Sequence, residues 1–152
     1  MAADRLVTAE TLGAWLLKCN ADASDVASRP AGHRIDRWCV LPGYRSALMA
    51  AGQRVVFWVS GSRRRLPYGI WGVGRLAGAA AMGPAGDGPG TRLSVPLDLV
   101  LLGDAHRVRR DELRADPRFA GLEVLRQPQA GNPSFLTVAQ AHALAGYVRW
   151  PS

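Results

Sequence analysis

Hydrophobic positions fall in short alternating runs rather than long helical faces, and the clearest of these lies between Gly52 and Gly78. Val55, Phe57 and Val59 alternate with Val56, Trp58 and Ser60, and after an arginine-rich turn Ile70, Gly72 and Gly74 alternate with Trp71, Val73 and Arg75. A period of two over six or more residues predicts two strands of a hairpin. Both faces of these strands are largely apolar, which predicts a sheet covered on both sides or curled on itself, and Gly69, Gly72, Gly74 and Gly78 leave room for bending. A small barrel is the economical expectation.

Other runs are shorter. Trp15 to Cys19 reads as a first strand, closed by the turn-prone Asn20, Ala21 and Asp22. Arg34 to Val40 alternates loosely before Pro42, which starts a helix running to Ala51 with Gly52 at its cap. Gly78 to Gly90 reads as a loop of alanine, glycine and proline. Arg92 to Leu102 is strand-like, with Pro96 pointing to an edge or a bulge. Asp111 to Ala115 reads as a short helix and Leu122 to Leu125 as a strand. At the C-terminus Thr137 and Gln140 form a capping box, ahead of a helix with Val138, Ala141, Leu144, Ala145 and Val148 on one face. This order predicts a single α+β domain over residues 1–152 with a mostly antiparallel sheet.

Composition narrows the function. The chain has 152 residues, 48% hydrophobic, with a formal charge of +7, and Lys18 is its only lysine. Arginine stacks on bases and forks onto phosphates, so the charge favours a polyanionic partner, while the choice of arginine over lysine also fits a genomic compositional bias. Cys19 and Cys39 lack the paired spacing of a zinc site, so reduced thiols and no metal are expected. Neither a secretory leader nor a membrane-spanning run is visible, and no cofactor motif stands in its proper context, which predicts a soluble, cytoplasmic protein. His33, His106 and His142 lie in unrelated segments with no nucleophile or carboxylate at a diagnostic spacing, so no catalytic residue is assigned.

Five tryptophans could form an aromatic cage for a base or could be core. Trp38 stands apart, because its neighbours Arg34, Asp36, Arg37 and Cys39 leave little core for it to fill, and a binding role is expected there. Arg63, Arg64 and Arg65 at the hairpin tip are either phosphate contacts or a solvated turn.

Several segments in order carry a resemblance: Trp15 to Asn20, Trp38 followed by Tyr44, Arg45 and Met49, the strands GQRVVFWVSG and GIWGVGRLAG, and Asn132-Pro133 before Leu136-Thr137. Together, over roughly residues 13 to 148, they resemble the EVE domain of the PUA-like superfamily, and they are similar to the related YTH domain, a reader of methylated adenine in RNA. The resemblance implies a curled, mostly antiparallel, barrel-like sheet flanked by helices. It also implies a non-catalytic module that binds nucleic acid, RNA or DNA, carrying a modified base that is flipped out or single-stranded.

In the YTH pattern a Lys-Ser dipeptide ends the first strand and a Trp-Cys pair begins the cage, and here Lys18-Cys19 and Trp38-Cys39 fall at matching points. By that resemblance Trp38 would stack on the base, the backbone around Cys39 would accept a hydrogen bond from an exocyclic amine, and Asn20 would reach the base edge. Ser60 and Asn132 are further carry-overs. The YTH cage has later tryptophans that the stretch from Gly83 to Arg92 lacks, so a second wall would come from Trp58, Trp71 or Tyr44. Arg45 and Arg63 to Arg65 would hold the nucleic-acid backbone. A nucleotide- or RNA-acting hydrolase is the alternative, with Asp25, Asp36 or Lys18 as its candidate bases, and a protein-interaction adaptor is a third reading.

Overall fold

Alternation in β1 (Leu12–Asn20) sends Trp15, Leu17 and Cys19 into one buried cluster and Ala14 and Leu16 into another. The computed structural model describes residues 6–63, 66–84 and 90–151. After β1 come β2 (Arg34–Cys39), α1 (Tyr44–Leu48), β3 (Arg54–Ser60), β4 (Gly69–Leu76), β5 (Ala81–Pro84), β6 (Thr91–Leu101), β7 (Val108–Arg109), α2 (Arg110–Ala115), α3 (Glu123–Arg126), β8 (Ser134–Thr137) and α4 (Val138–Leu144). The fold is α+β, as the patterning predicts.

Among the described residues the sheet has eight strands, six of them in the order β2-β6-β4-β3-β1-β8, with β5 on one end of β6 and β7 on the start of β4. Among the described residues only the β1–β3 ladder is parallel, and the other six are antiparallel. The strand path is open, and no ladder joins its ends β2 and β8 among the described residues. Two hydrogen bonds cross this gap: Leu41 N, just past β2, donates to Asn132 O, just ahead of β8, at 2.9 Å, and Trp38 Nε1 on β2 donates to Lys18 O on β1 at 3.1 Å. These contacts position the site described below.

Apolar side chains on both faces of β1 and β3 are the reason for two cores. Val55, Phe57 and Val59 join Trp15, Trp71, Leu97 and Leu99 on one face, while Val56 and Trp58 join Phe119, Leu122 and Leu144 on the helix-covered face. β4 departs from strict alternation. The register slips between Phe57 and Trp58, which face Gly72 and Ile70, so Trp71 is an extra residue in β4 and lies in the first core while Val73 lies in the second. The expectation that Trp71 and Val73 share a face is therefore corrected by a bulge. At Gly74 a Cβ would stand 2.1 Å from Asp98 O, so β4 can lie against β6 only with glycine there.

Several local expectations change in the fold. Leu122 to Leu125 is not a strand: it enters α3, burying Leu122 and Val124 against the second core with no strand beside it to complete a ladder. Pro96 is interior to the sheet rather than at an edge, and faces Arg37 where the β2–β6 register shifts, so a bulge absorbs its missing N–H. The helix expected from Pro42 to Ala51 is confined to α1. The expected loop from Gly78 to Gly90 contains β5, whose Met82 pairs with Leu93, and residues 85–89 lie outside the described segments. The Thr137 and Gln140 capping box is present, with Gln140 N donating to Thr137 Oγ1 at 3.1 Å and Thr137 N donating to Gln140 Oε1 at 2.9 Å. The buried face of α4 is Gln140, Ala141, Ala143 and Leu144, whereas Val138 and Ala145 are exposed.

Candidate functional site

Trp38 lies at the end of β2, where the sheet's two ends meet. Its ring is half-buried and stands edge-to-face with Phe57, centroids 4.9 Å apart and planes at 88°. The indole N–H is fixed by Lys18 O, so the ring orientation is set from β1. Asn132 completes this junction, its Oδ1 accepting from Lys18 N at 2.7 Å and its Nδ2 donating to Lys18 O at 3.0 Å. One amide thus satisfies both main-chain groups of residue 18, which a strand neighbour would otherwise do.

Beside the Trp38 ring is a cleft of about 650 Å³ lined by Arg37, Cys39, Pro84, Arg92, Ser94 and Asn132. It adjoins a second cleft of about 510 Å³ that shares Cys39, Arg92 and Asn132 and continues along Leu41, Met82 and Leu93. Arg37 Nη1 donates to Ser94 Oγ at 2.9 Å, and Arg92 has no carboxylate partner among the described residues. An aromatic wall, two guanidinium groups and an amide around a mostly apolar floor can hold a flat, polar-edged ring. No group of three or more His, Cys, Asp or Glu side chains that could hold a metal occurs among the described residues. No helix among them is long and apolar enough to cross a membrane.

Of the residues expected to touch a base, Trp38, Cys39 and Asn132 line this cleft together. The rest do not line it. Trp58 and Trp71 are core, on opposite faces of the sheet, and neither leaves a ring face for a base; the Arg107 guanidinium covers Trp71 at 3.8 Å from the ring centroid. Cys19 is buried with them, and that burial pushes its thiol above its ordinary pKa although a hydrogen bond involving Ser24 acts against it. Lys18 contributes its backbone, while its Nζ donates to Pro128 O at 3.4 Å away from the cleft lining. Burial lowers its ammonium pKa, opposed by the charge of Glu123 and aided by that of Arg45. Asn20 turns its Oδ1 to Asp22 N at 2.9 Å, closing the turn after β1, and Ser60, paired with Asn20, is not on the lining.

Arg45, expected on a nucleic-acid backbone, is held inside the fold. Its Nη1 and Nη2 donate to the two carboxylate oxygens of Glu123 at 2.6 and 2.7 Å, and Nη1 also donates to Pro133 O at 3.1 Å. The side chains of the pair are only 19% and 10% exposed. Ser134 Oγ donates to Glu123 Oε1 at 2.7 Å, and Arg45 Nε lies 3.3 Å from the Tyr44 hydroxyl, so Tyr44 belongs to this group and a shallow neighbouring cleft rather than to Trp38's. Burial raises the Glu123 carboxyl, but the hydrogen bonds from Arg45 and Ser134 with the charge of Arg45 outweigh it and leave the pKa below the usual range. The same hydrogen bonding holds the Arg45 guanidinium far above its ordinary value.

Arg63 lies on a different cleft from Trp38, and Arg64 and Arg65 lie outside the described residues. Arg37, Arg92, Ser94 and Pro84 are lining residues that the sequence did not single out as ligands. Arg37 could have been found as the neighbour of Trp38; Arg92 and Ser94 arrive only through the β2–β6 ladder, which pairs Cys39 with Ser94.

No protein-family model matches the chain, and no curated protein matches it. Solved structures do. The crystal structure of a Pseudomonas syringae protein superposes with a TM-score of 0.62 at 17% identity, covering 87% of this chain and 97% of that one. The solution structure of a Rhodopseudomonas palustris protein gives a TM-score of 0.61 at 19% identity, covering 90% and 92%. An Agrobacterium tumefaciens protein, also a crystal structure, gives 0.56 at 16% identity over 91% and 98%. At these identities the likeness is one of fold: this α+β architecture, over nearly its whole length, is also that of the three bacterial chains.

Proposed function

We propose that the chain is a non-catalytic module of the PUA-like kind, with a curled, barrel-like sheet, that binds nucleic acid by taking one modified base into the cleft beside Trp38. The observation that carries this reading is the state of the Trp38 ring: half-buried, pinned through its N–H, and facing a cleft of about 650 Å³. A ring held in place from behind offers a stacking face at little ordering cost. The Asn132 amide, the Ser94 hydroxyl and the Cys39 backbone stand at the same cleft as groups that could meet the base edge, and Arg37 and Arg92 supply positive charge at the rim.

Recognition is favoured over hydrolysis by where the candidate bases are. Asp25 is engaged by Arg29 at 2.5 Å, Asp36 is exposed, and neither they nor the Lys18 ammonium line the cleft. The experiment is a titration of single-stranded oligonucleotides, DNA and RNA, that carry different modified bases. Trp38→Ala is expected to abolish the preference for the best modified base, a loss of about 1–3 kcal/mol, while weak salt-sensitive binding persists. Undiminished discrimination by that variant refutes the reading.

A further inference from the structure

The arginines of this chain divide by what neutralises them. Arg29, Arg34, Arg45, Arg107 and Arg118 each pair with a carboxylate. Arg63, Arg109 and Arg110 have no such partner among the described residues, and all three line one cleft of about 350 Å³ together with Ser62, Tyr68 and Asp111. Arg63 comes from the turn between β3 and β4, and the other two from the junction of β7 and α2, far along the chain.

Tertiary structure joins these segments at Tyr68. Its hydroxyl accepts from Arg63 N at 2.8 Å, and its carbonyl accepts from Arg110 N at 2.8 Å. The β4–β7 ladder pairs Gly69 with Arg109, an approach so close that a Cβ on Gly69 would stand 2.1 Å from Val108 O. Gly69 also has φ +148°, so the position is closed to other residues on both counts. The Nε of Arg110 is buried with no hydrogen-bond partner, and Asp111 is the only carboxylate among the lining residues. Three arginines stand on the lining against the Asp111 carboxylate, with the Asp22 and Glu112 carboxylates accepting from the main-chain N–H groups of Ser62 and Arg109 beside it, and none of the three guanidinium groups is paired with a carboxylate among the described residues.

We infer that this cleft is a second binding site, separate from the one at Trp38, and that it takes a phosphoryl group. Guanidinium groups present paired N–H donors that match two oxygens of one phosphate, and three of them around one cleft can hold a phosphodiester without reading its base. The inference does not depend on what the Trp38 cleft binds.

The probe is a single-stranded oligonucleotide made wholly of abasic residues, which carries phosphodiesters and no base to stack, with inorganic pyrophosphate as the second ligand. The wild-type protein is expected to bind the abasic strand with an affinity that falls with salt. In Arg63→Gln/Arg109→Gln, whose two positions are exposed and leave the Tyr68 bonds to main-chain atoms intact, binding is expected to weaken at least tenfold. The slope of log K against log salt should flatten by about 0.7 for each contact removed. Circular dichroism checks that this variant is folded, and Arg110→Gln should act in the same direction. Trp38→Ala is expected to bind the abasic strand as the wild type does, so failure of base recognition and failure of this site are told apart. An abasic strand bound well above pyrophosphate assigns the site to nucleic-acid backbone; pyrophosphate bound as tightly assigns it to a free phosphoryl compound, and either supports the cleft. Binding of neither ligand, or an unchanged affinity and salt slope in the folded double variant, overturns it.

Discussion

Two sides of the segment from Pro128 to Ser134 use the same kinds of side chain to opposite ends. On one side Arg45, Glu123 and Ser134 hydrogen-bond one another, and the charged pair is largely buried although it lines part of a neighbouring cleft. On the other Arg37 and Arg92 border an open cleft with no carboxylate on its lining. A guanidinium that has found its carboxylate inside the fold is a fastener, and one left at a cleft rim is available to a ligand. Residue type alone does not distinguish them. Asn132 sits between the two, holding Lys18 on one side while lining the cleft on the other.

The largest effect expected from that contrast is on Glu123→Ala, which leaves the buried Arg45 charge without its partner and should cost about 3–5 kcal/mol in urea unfolding. A loss below about 1 kcal/mol, the worth of a surface pair, would erase the distinction drawn between the two sides. Asn132→Ala comes next. It leaves Lys18 N without its acceptor and Lys18 O with the Trp38 indole N–H alone, and a stability loss of about 1–3 kcal/mol is expected. It should also weaken whatever ligand the Trp38 cleft takes, since the ring is anchored to the same carbonyl. An Asn132→Ala protein as stable as wild type would show that water replaces the amide and that the junction is not rigid.

The smallest effect is the pH dependence. Glu123 has a folded pKa below its unfolded value of about 4.3, so its contribution is fully present above that value and is lost as pH falls through the folded pKa. Asp116, held below the carboxylate range by hydrogen bonds from Arg118 and Tyr147, acts with the same sign. The share of Glu123 is therefore read from a comparison with Glu123→Gln: the stability gap between the two proteins should narrow as pH falls below about 4.3. A gap independent of pH would mean that the charge of Glu123 is not what fastens Arg45.

Strand alternation made β1, β3 and β4 legible, because burial on both faces of a strand leaves apolar residues at successive positions. The capping box made the start of α4 legible, since its two hydrogen bonds lie within four residues. Leu122 to Leu125 misled for a related reason: four apolar or charged residues carry no period, and only the absence of a neighbouring strand makes them α3. The slip at Trp71 was invisible too, because a bulge exists between two strands and not in either one. Among the tryptophans, the polar neighbours of Trp38 marked its ring as partly open, although the structure also packs that ring against the first core, while the alternation around Trp58 and Trp71 was compatible with a cage and with a core until both rings were seen covered.

What the chain determined by itself is local and chemical: which stretches extend, where one helix begins, that the surface carries net positive charge, and that Trp38 stands among polar residues. Which residues share a cleft was decided by tertiary structure alone. Ser94 faces Cys39, Asn132 reaches Lys18, Glu123 captures Arg45, and Arg109 meets Gly69 across the β4–β7 ladder. The physical reason is that a site is assembled by pairings between segments 40 to 114 residues apart, as with Gly69 and Arg109 or Lys18 and Asn132, and such pairings are set by register, bulges and packing rather than by any one segment's sequence.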